Sequence, residues 1–164
     1  MIRNLLPLLL LVSLMACNNG AKTDQPEATT PKPAEVQETP AVATKSYPIV
    51  PRDSLVMLSE KCDFIDVVFY YESFSLSQNK KNDILGSIGH ISAQPAQVYD
   101  NCKPIGRIFY QVDGTNRMEA DLFFSKGCTF LLFYENNQPT YANALSQDGI
   151  SFFSNVFAKV KGGG

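Results

Sequence analysis

The chain has 164 residues, with 14 basic and 16 acidic side chains and a formal charge of −2 at pH 7. Neither sign of charge forms a cluster along the sequence. This distribution argues against a surface that binds nucleic acid or anionic lipid, so no nucleic-acid partner is expected.

The first segment has the layout of an export signal. Arg3 is its only charge, an apolar run from Leu5 to Leu14 follows, and the small residue Ala16 comes just before Cys17. The apolar run is about half of the roughly 20 residues that a membrane-spanning helix needs. Residues 1–16 are therefore predicted to be a cleaved signal peptide.

The end of this segment indicates how the mature protein is held. Leu14-Met15-Ala16-Cys17 resembles the lipobox of bacterial lipoproteins, although a residue smaller than Met15 is commoner at its position. The resemblance implies a diacylglycerol on the Cys17 thiol and an acyl chain, such as palmitate, on its new amino group. Several long chains would anchor the protein stably in a membrane. The alternative is an ordinary signal peptide followed by an incidental cysteine.

The residues after Cys17 bear on location and on organisation. Asn18-Asn19-Gly20 lacks the Asp that often retains such lipoproteins at the inner membrane, so the resemblance implies the outer membrane. Residues 17–48 contain five of the ten prolines and one aromatic residue, Tyr47, and are predicted to be a disordered tether. Thirty coil-like residues would span roughly 30 Å.

The composition changes sharply near Pro48 and Pro51. All eleven Phe and six of the seven Tyr follow residue 60, so residues 49–161 are predicted to be one globular domain, with a disordered tail at 162–164. Asp53 is predicted to cap a short helix that ends at Glu60. The segment 64–71 is rich in β-branched and aromatic residues, which predicts a buried strand.

A second amphipathic helix is predicted from a cap at Ser77 to about Gly89. A polar loop through Pro95 and Pro104 follows it. Three segments, 105–112, 117–125 and 128–134, then predict an antiparallel meander.

Alternation within the meander predicts its register. The even positions of the first two segments are apolar, and a three-residue loop at 113–115 keeps them on one face and places Arg107 opposite Asp121. A second three-residue loop at 125–127 would align Cys128, Phe130 and Leu132 with the same apolar row.

The meander is followed by a turn at 136–139, a possible fourth strand near 140–145, and a closing helix that begins at Asp148. The fold class is therefore predicted to be α+β. We expect a mainly antiparallel sheet of four or five strands, with amphipathic helices packed on at least one face.

Three cysteines follow Cys17, in what should be an oxidising compartment: Cys62, Cys102 and Cys128. The predicted register places Cys102 just beyond the end of its strand, at the same end of the sheet as Cys128. We therefore favour a Cys102–Cys128 disulfide over the pairings that use Cys62, provided that residues 101–104 curl over the intervening strand. The pair is interpreted as structural, because the chain has no Cys-x-x-Cys motif.

Other candidate chemistry is weak. His90 is the only histidine, and its charge would suit the end of a helix. Glu119 and Asp121 share a strand face, as catalytic carboxylates would, but solvent-facing residues look the same. Glu60, Asp63 and Asp66 provide too few oxygen ligands for a hard cation. No catalytic, cofactor-binding or metal-binding residue is therefore assigned.

The aromatic residues leave two interpretations open: an exposed patch that marks a partner or ligand surface, or a second apolar layer with helices on both faces of the sheet. Six residues are involved: Tyr70, Tyr71, Phe74, Phe123, Tyr134 and Tyr141. The leading hypothesis is a lipid-anchored, non-enzymatic envelope module that binds a protein, glycan or other partner. The alternative is an envelope hydrolase or a thiol-disulfide redox protein.

Overall fold

The fold is organised around a large antiparallel sheet with helices on one of its faces. The computed structural model describes residues 43–162; the predicted signal peptide, Cys17 and most of the predicted tether lie outside them. The described strands are β1 (Thr44–Ser46), β2 (Phe64–Phe69), β3 (Ser75–Gln78), β4 (Ile91–Pro95), β5 (Gln97–Tyr99), β6 (Gly106–Val112), β7 (Thr115–Ser125), β8 (Cys128–Glu135) and β9 (Gln138–Leu145). The described helices are α1 (Arg52–Lys61), α2 (Lys81–Gly89) and α3 (Gln147–Gly162).

The large sheet has seven strands in the order β3-β2-β6-β7-β8-β9-β4, and β1 and β5 form a separate two-stranded sheet. The α+β class and the antiparallel pairing are confirmed, but the predicted sheet of four or five strands was too small. The two strands that were not predicted, β3 and β4, lie at the edges of the seven-stranded sheet. β3 lies in the segment that was predicted to cap a helix, and β4 lies in the predicted polar loop. Because an edge strand pairs on one side only, it tolerates the polar residues and the terminal proline that argued against strands there.

The segment before the domain also contributes structure. Thr44–Ser46, inside the predicted tether, pair with Gln97–Tyr99, inside the predicted polar loop. At the other end, α3 extends to Gly162. None of the helices in residues 43–162 is long and apolar enough to cross a membrane.

The helices form where they were predicted, but their first residues differ. Asp53 lies in the first turn of α1 after Pro51, which makes no side-chain cap. Ser77 does not cap α2: it belongs to β3, and its hydroxyl donates to Asp66 at 2.8 Å. Ser146 caps α3, since its hydroxyl accepts a 3.2 Å bond from the Gly149 N–H.

In the β6–β7 hairpin Arg107 pairs with Asp121, as predicted, but the turn and the strand that produce this pairing differ from the prediction. Its turn has two residues, Asp113 and Gly114, with φ of 50° and 69°, instead of three. A bulge beyond Tyr110 inserts one extra residue into β7 and restores the predicted register for the rest of the hairpin.

The β7–β8 hairpin has no such compensation, and the predicted register was wrong there. Its turn is Lys126-Gly127, so Ser125 pairs with Cys128 and every β8 residue shifts by one. Cys128, Phe130 and Leu132 consequently lie on the face away from the helices. Because most β8 side chains are apolar, alternation could not indicate which of them face the helices.

The shifted register creates two apolar layers. The first lies between the sheet and the helices and includes Leu58, Ile84, Tyr110, Phe133 and Phe153. The second lies on the opposite face, where Val98 of the small sheet and Ala96, just before β5, cover side chains of β7, β8 and β9. A second apolar layer therefore exists, but a two-stranded sheet covers it instead of the predicted helices.

His90 follows α2 in a half-buried position against α3. The centroid of its ring lies 4.8 Å from that of Phe152 and 6.1 Å from that of Phe153. Burial lowers the pKa of His90 from its ordinary value, and the Asp148 carboxylate opposes this change. The site therefore favours a neutral imidazole rather than the charged one that the helix end alone suggested.

The lowered pKa predicts how stability depends on pH. Because the folded pKa lies below the unfolded one, the unfolded chain takes up the proton first, and stability falls as pH drops through the folded pKa. We expect the natural protein to lose more unfolding free energy between about pH 7.5 and pH 5 than His90→Gln does. Urea unfolding at several pH values measures both slopes. Equal slopes would show that His90 titrates alike in the two states.

Candidate functional site

The face of the large sheet away from the helices is divided into two parts. The small sheet covers β8 and β9, and just before β5 the Ala96 N–H donates to the Ala142 carbonyl at 3.2 Å. The centre of β6 and β7 carries polar side chains instead. These two strands provide the first part of the candidate site.

Asp121 is the centre of this polar group and is only 6% exposed. Its Oδ1 accepts a 2.8 Å bond from Arg107 Nε and a 3.1 Å bond from the Tyr70 hydroxyl. Its Oδ2 accepts a 2.7 Å bond from the Tyr134 hydroxyl. We call Tyr70, Arg107, Glu119, Asp121 and Tyr134 the Asp121 network.

Strand pairing positions the members of the network. Arg107 lies between Val68 of β2 and Asp121 of β7. Gly106 allows β2 and β6 to approach closely, because a Cβ there would lie 2.6 Å from the Val68 carbonyl oxygen. Tyr70 follows β2, and its N–H donates to the Ile105 carbonyl at 2.9 Å.

Arg107 connects the remaining members. Its guanidinium carbon lies 4.7 Å from the centroid of the Tyr134 ring, within cation–π range. Its Nη1 lies 3.5 Å from Glu119 Oε2, and the Asn116 amide donates to Glu119 Oε1 at 3.3 Å. Glu119 is therefore held from two sides.

The electrostatics keep the hydrogen-bond donors of the network protonated. The bond to Asp121 raises the pKa of Arg107. Burial, together with the nearby Asp121 carboxylate, raises the pKa of Tyr134 and of Tyr70. Both phenols therefore remain donors at neutral pH, and Asp121 remains their shared acceptor.

The shared face predicted for Glu119 and Asp121 is present, but both carboxylates are engaged within the protein. A general acid or base must reach the proton that it transfers. Asp121 is buried and bonded on both oxygens, so its role is to orient Arg107 and the two tyrosines.

A cleft lies beside the network, where the tips of the β6–β7 and β8–β9 hairpins are neighbours. Its volume is about 430 Å³, and Glu119 and Tyr134 belong to both the cleft and the network. Its lining contains two carboxylates, three amides, one guanidinium, one phenol ring and one thioether: Glu119, Glu135, Asn116, Asn136, Asn137, Arg117, Tyr134 and Met118. We call this site the hairpin cleft.

The turn between β8 and β9 forms one wall of the hairpin cleft. Asn136 and Asn137 have φ of 51° and 63°, in the left-handed region that asparagine tolerates better than most residues. Glu135, just before the turn, accepts a 3.2 Å bond from the Tyr141 hydroxyl. The Glu135 side chain in this wall is therefore held in place by a hydrogen bond within the protein.

The predicted Cys102–Cys128 disulfide is confirmed, with a Cα–Cα distance of 5.8 Å. Its route differs from the predicted one. Cys102 follows β5 in the small sheet, and the shifted register of β8 turns Cys128 toward it. The bond therefore links the two sheets, and residues 101–104 need not curl over a strand of the meander.

Cys62 is a free thiol and is 2% exposed. Burial raises the pKa of its thiol, although bonds to backbone groups of Phe64 and Gln111 oppose the rise. A protonated, buried thiol is a poor nucleophile. Cys62 therefore contributes to packing, as predicted from its residue type.

The other candidates from the sequence are separated in the fold. Asp63 accepts a bond from the Asp113 N–H at 2.9 Å, whereas Asp66 accepts one from Ser77. Residues 43–162 contain no group of three or more His, Cys, Asp or Glu side chains placed to hold a metal ion.

Of the six aromatic residues considered for an exposed patch, four pack in the two apolar layers and two are exposed. Phe74 and Tyr141 pack on the helix-side layer, and Phe123 and Tyr134 on the second layer. Tyr70 and Tyr71 are 45% and 72% exposed, and their rings meet edge to face at 6.4 Å. The exposed aromatic surface is therefore confined to the segment after β2.

The alternation in the sequence placed Arg107, Glu119 and Asp121 together on one face, but it did not place Tyr70 and Tyr134 beside them. In the structure Tyr134 pairs with Glu119 on the polar face, whereas the predicted register would have turned Tyr134 away. The correct β7–β8 register was the signal that could have identified Tyr134. Tyr70 had no local signal, because it reaches Asp121 from outside its strand.

No protein-family model, curated protein or solved structure matches this chain. The chemistry of the site must therefore be inferred from its own residues.

Proposed function

We propose that this chain is a lipid-anchored envelope protein, and that its domain is a non-enzymatic module that binds a partner in the hairpin cleft. The observation that carries the binding role is the cleft itself, whose lining shares Glu119 and Tyr134 with the Asp121 network. Polar side chains that are held in place in an accessible cleft can fix the orientation of a ligand and provide specificity. The anchor rests on Leu14-Met15-Ala16-Cys17.

Two further features support this proposal. The Cys102–Cys128 bond suits an exported protein, because disulfides persist in oxidising compartments. The residues after Cys17 lack the inner-membrane retention signal, which favours the outer membrane.

The enzymatic alternatives receive less support. A hydrolase of the predicted kind would need Glu119 and Asp121 to act as a pair, but Asp121 is buried and bonded on both oxygens. A redox role receives less support because the disulfide joins Cys102 and Cys128 across 26 residues and not within a Cys-x-x-Cys motif, and because Cys128 is buried.

The anchor is tested by Cys17→Ser. Because serine offers no thiol, we expect the variant to lose metabolic palmitate labelling and to leave the membrane fraction. Cys62→Ala is the matched control, since it removes a buried thiol and should change neither readout. Unchanged labelling and membrane partition of Cys17→Ser would disprove the lipid anchor.

The binding role is tested by photo-cross-linking in intact cells. A photoreactive residue at Arg117 lies in the cleft lining, whereas one at exposed Ser154 lies on α3, on the opposite side of the sheet. We expect adducts at Arg117 that Asn137→Gly reduces, and none at Ser154. Equal or absent labelling at both positions would contradict a binding role for the cleft.

A further inference from the structure

We propose that the hairpin cleft recognises an uncharged, hydroxyl-rich glycan; this inference rests on the proposed binding function and names its ligand class. Three properties of the cleft support this ligand class: the charge of its lining, the orientation of its polar atoms and the character of its walls.

The charges of the lining disfavour ionic ligands. Two carboxylates, Glu119 and Glu135, and one guanidinium, Arg117, line the same cleft, so an ion that one sign attracts is repelled by the other. A cation would also compete with Arg107 for Glu119, which already lies 3.5 Å from the Arg107 guanidinium. An uncharged ligand meets neither repulsion.

The lining matches the hydrogen-bonding pattern of sugar hydroxyls. Each hydroxyl both donates and accepts, and the cleft provides carboxylate acceptors beside amide and guanidinium donors. Asn116, Asn136 and Asn137 can each supply both functions from one side chain. Vicinal hydroxyls could therefore bridge a donor and an acceptor at once.

Several of these groups are ordered before a ligand arrives. Glu119 is held by Arg107 and Asn116, Glu135 by Tyr141, and the Tyr134 hydroxyl by Asp121. Ordered side chains lose little further conformational entropy on binding. The Asp121 network thus acts as the support of the cleft, while its charges remain satisfied internally.

The walls and the size suit a short saccharide. The Tyr134 ring provides apolar contact for the C–H face of a sugar ring, and the remaining lining is polar apart from Met118, whose side chain packs against the helix-side layer. The cleft volume of about 430 Å³ lies within the roughly 300–1,000 Å³ typical of small-molecule sites. A mainly apolar ligand would leave the carboxylates and amides unpaired.

The test uses the secreted Cys17→Ser protein on an array of neutral oligosaccharides of hexoses and N-acetylhexosamines, with sialylated and sulfated glycans as charged comparators. Affinities of the positive glycans are then measured by calorimetry. We expect binding to neutral oligosaccharides. Glu119→Gln and Asn137→Gly should each weaken it about tenfold, the effect of losing one or two hydrogen bonds.

Asn137→Gly has a closely matched control in Asp113→Gly. Both substitutions place glycine at a left-handed position in a two-residue hairpin turn, so the backbone tolerates both. Only Asn137 lines the cleft, and Asp113→Gly should therefore bind as the natural protein does.

The outcomes separate this inference from the proposed function. Failure of every neutral glycan to bind, preference for charged glycans, or unchanged affinity in Asn137→Gly would each overturn the glycan assignment. If adducts at Arg117 then contain protein instead of glycan, the binding function survives and the ligand class is wrong. Absence of both glycan binding and adducts would disprove both.

Discussion

Asp121→Ala is expected to lower the free energy of unfolding by about 3 kcal/mol, close to the loss measured when one partner of a buried ion pair is removed. The substitution leaves the Arg107 guanidinium and the hydroxyls of Tyr70 and Tyr134 without their acceptor. Partial exposure of Arg107 limits the loss, because water can solvate part of the guanidinium. Urea unfolding of the Cys17→Ser protein at neutral pH measures the difference.

Glu119→Gln is the control for this experiment. Glu119 contacts the same guanidinium but is partly exposed, so its loss should cost less than about 1 kcal/mol. Equal destabilisation by the two substitutions would show that Asp121 has no special role in the network.

A second variant distinguishes the ion pair from simple packing. Removing both charges in Arg107→Met/Asp121→Leu leaves no buried charge without its partner, and Glu119, which loses Arg107, is partly exposed and keeps its bond from Asn116. The double variant should therefore be more stable than Asp121→Leu alone. The opposite order would indicate that Arg107 stabilises the sheet through its contact with Tyr134 and not through Asp121.

Loss of the disulfide should have an effect of similar size. The Cys102–Cys128 bond joins residues 26 apart, and the entropy of closing such a loop corresponds to about 3–4 kcal/mol. Cys102→Ala/Cys128→Ala should therefore unfold at markedly lower denaturant concentration than the natural protein. Reductant should destabilise the natural protein by a comparable amount and leave the double variant unchanged.

Thiol counting and Cys62→Ala complete this test. The denatured Cys17→Ser protein should show one free thiol without reductant and three after reduction. Cys62→Ala should remain sensitive to reductant, because Cys62 takes no part in the bond. Insensitivity of the natural protein to reductant would contradict a stabilising disulfide.

Local sequence patterns were sufficient for much of the domain. Strict alternation along β6 and the inner part of β7 predicted their pairing, including Arg107 opposite Asp121. The apolar stripe of α3 predicted the closing helix. These predictions succeeded because each depends on a period within one segment.

The candidate site was predicted only in part. Its charged members lie on strands whose alternation is clear, so their shared face could be derived. The burial of Asp121 could not be derived, because Tyr70 lies just after β2 and Tyr134 lies in β8, and together they create an environment that no single segment encodes. The hairpin cleft depends on two separate hairpins being neighbours, which is a property of strand order.

What the sequence by itself determined is the set of secondary-structure elements with strong periodicity and the Arg107–Asp121 pairing; the cysteine pair was predicted correctly, but from a register of β8 that the structure does not have. Tertiary structure decided the face on which β8 presents Cys128 and Phe130, the recruitment of Thr44–Ser46 and Gln97–Tyr99 into a second sheet, and the edge strands β3 and β4. The physical reason is that β8 is apolar on both sides and the other segments are short and polar. Their structure therefore comes from the surfaces that they pair with or cover and not from local preference.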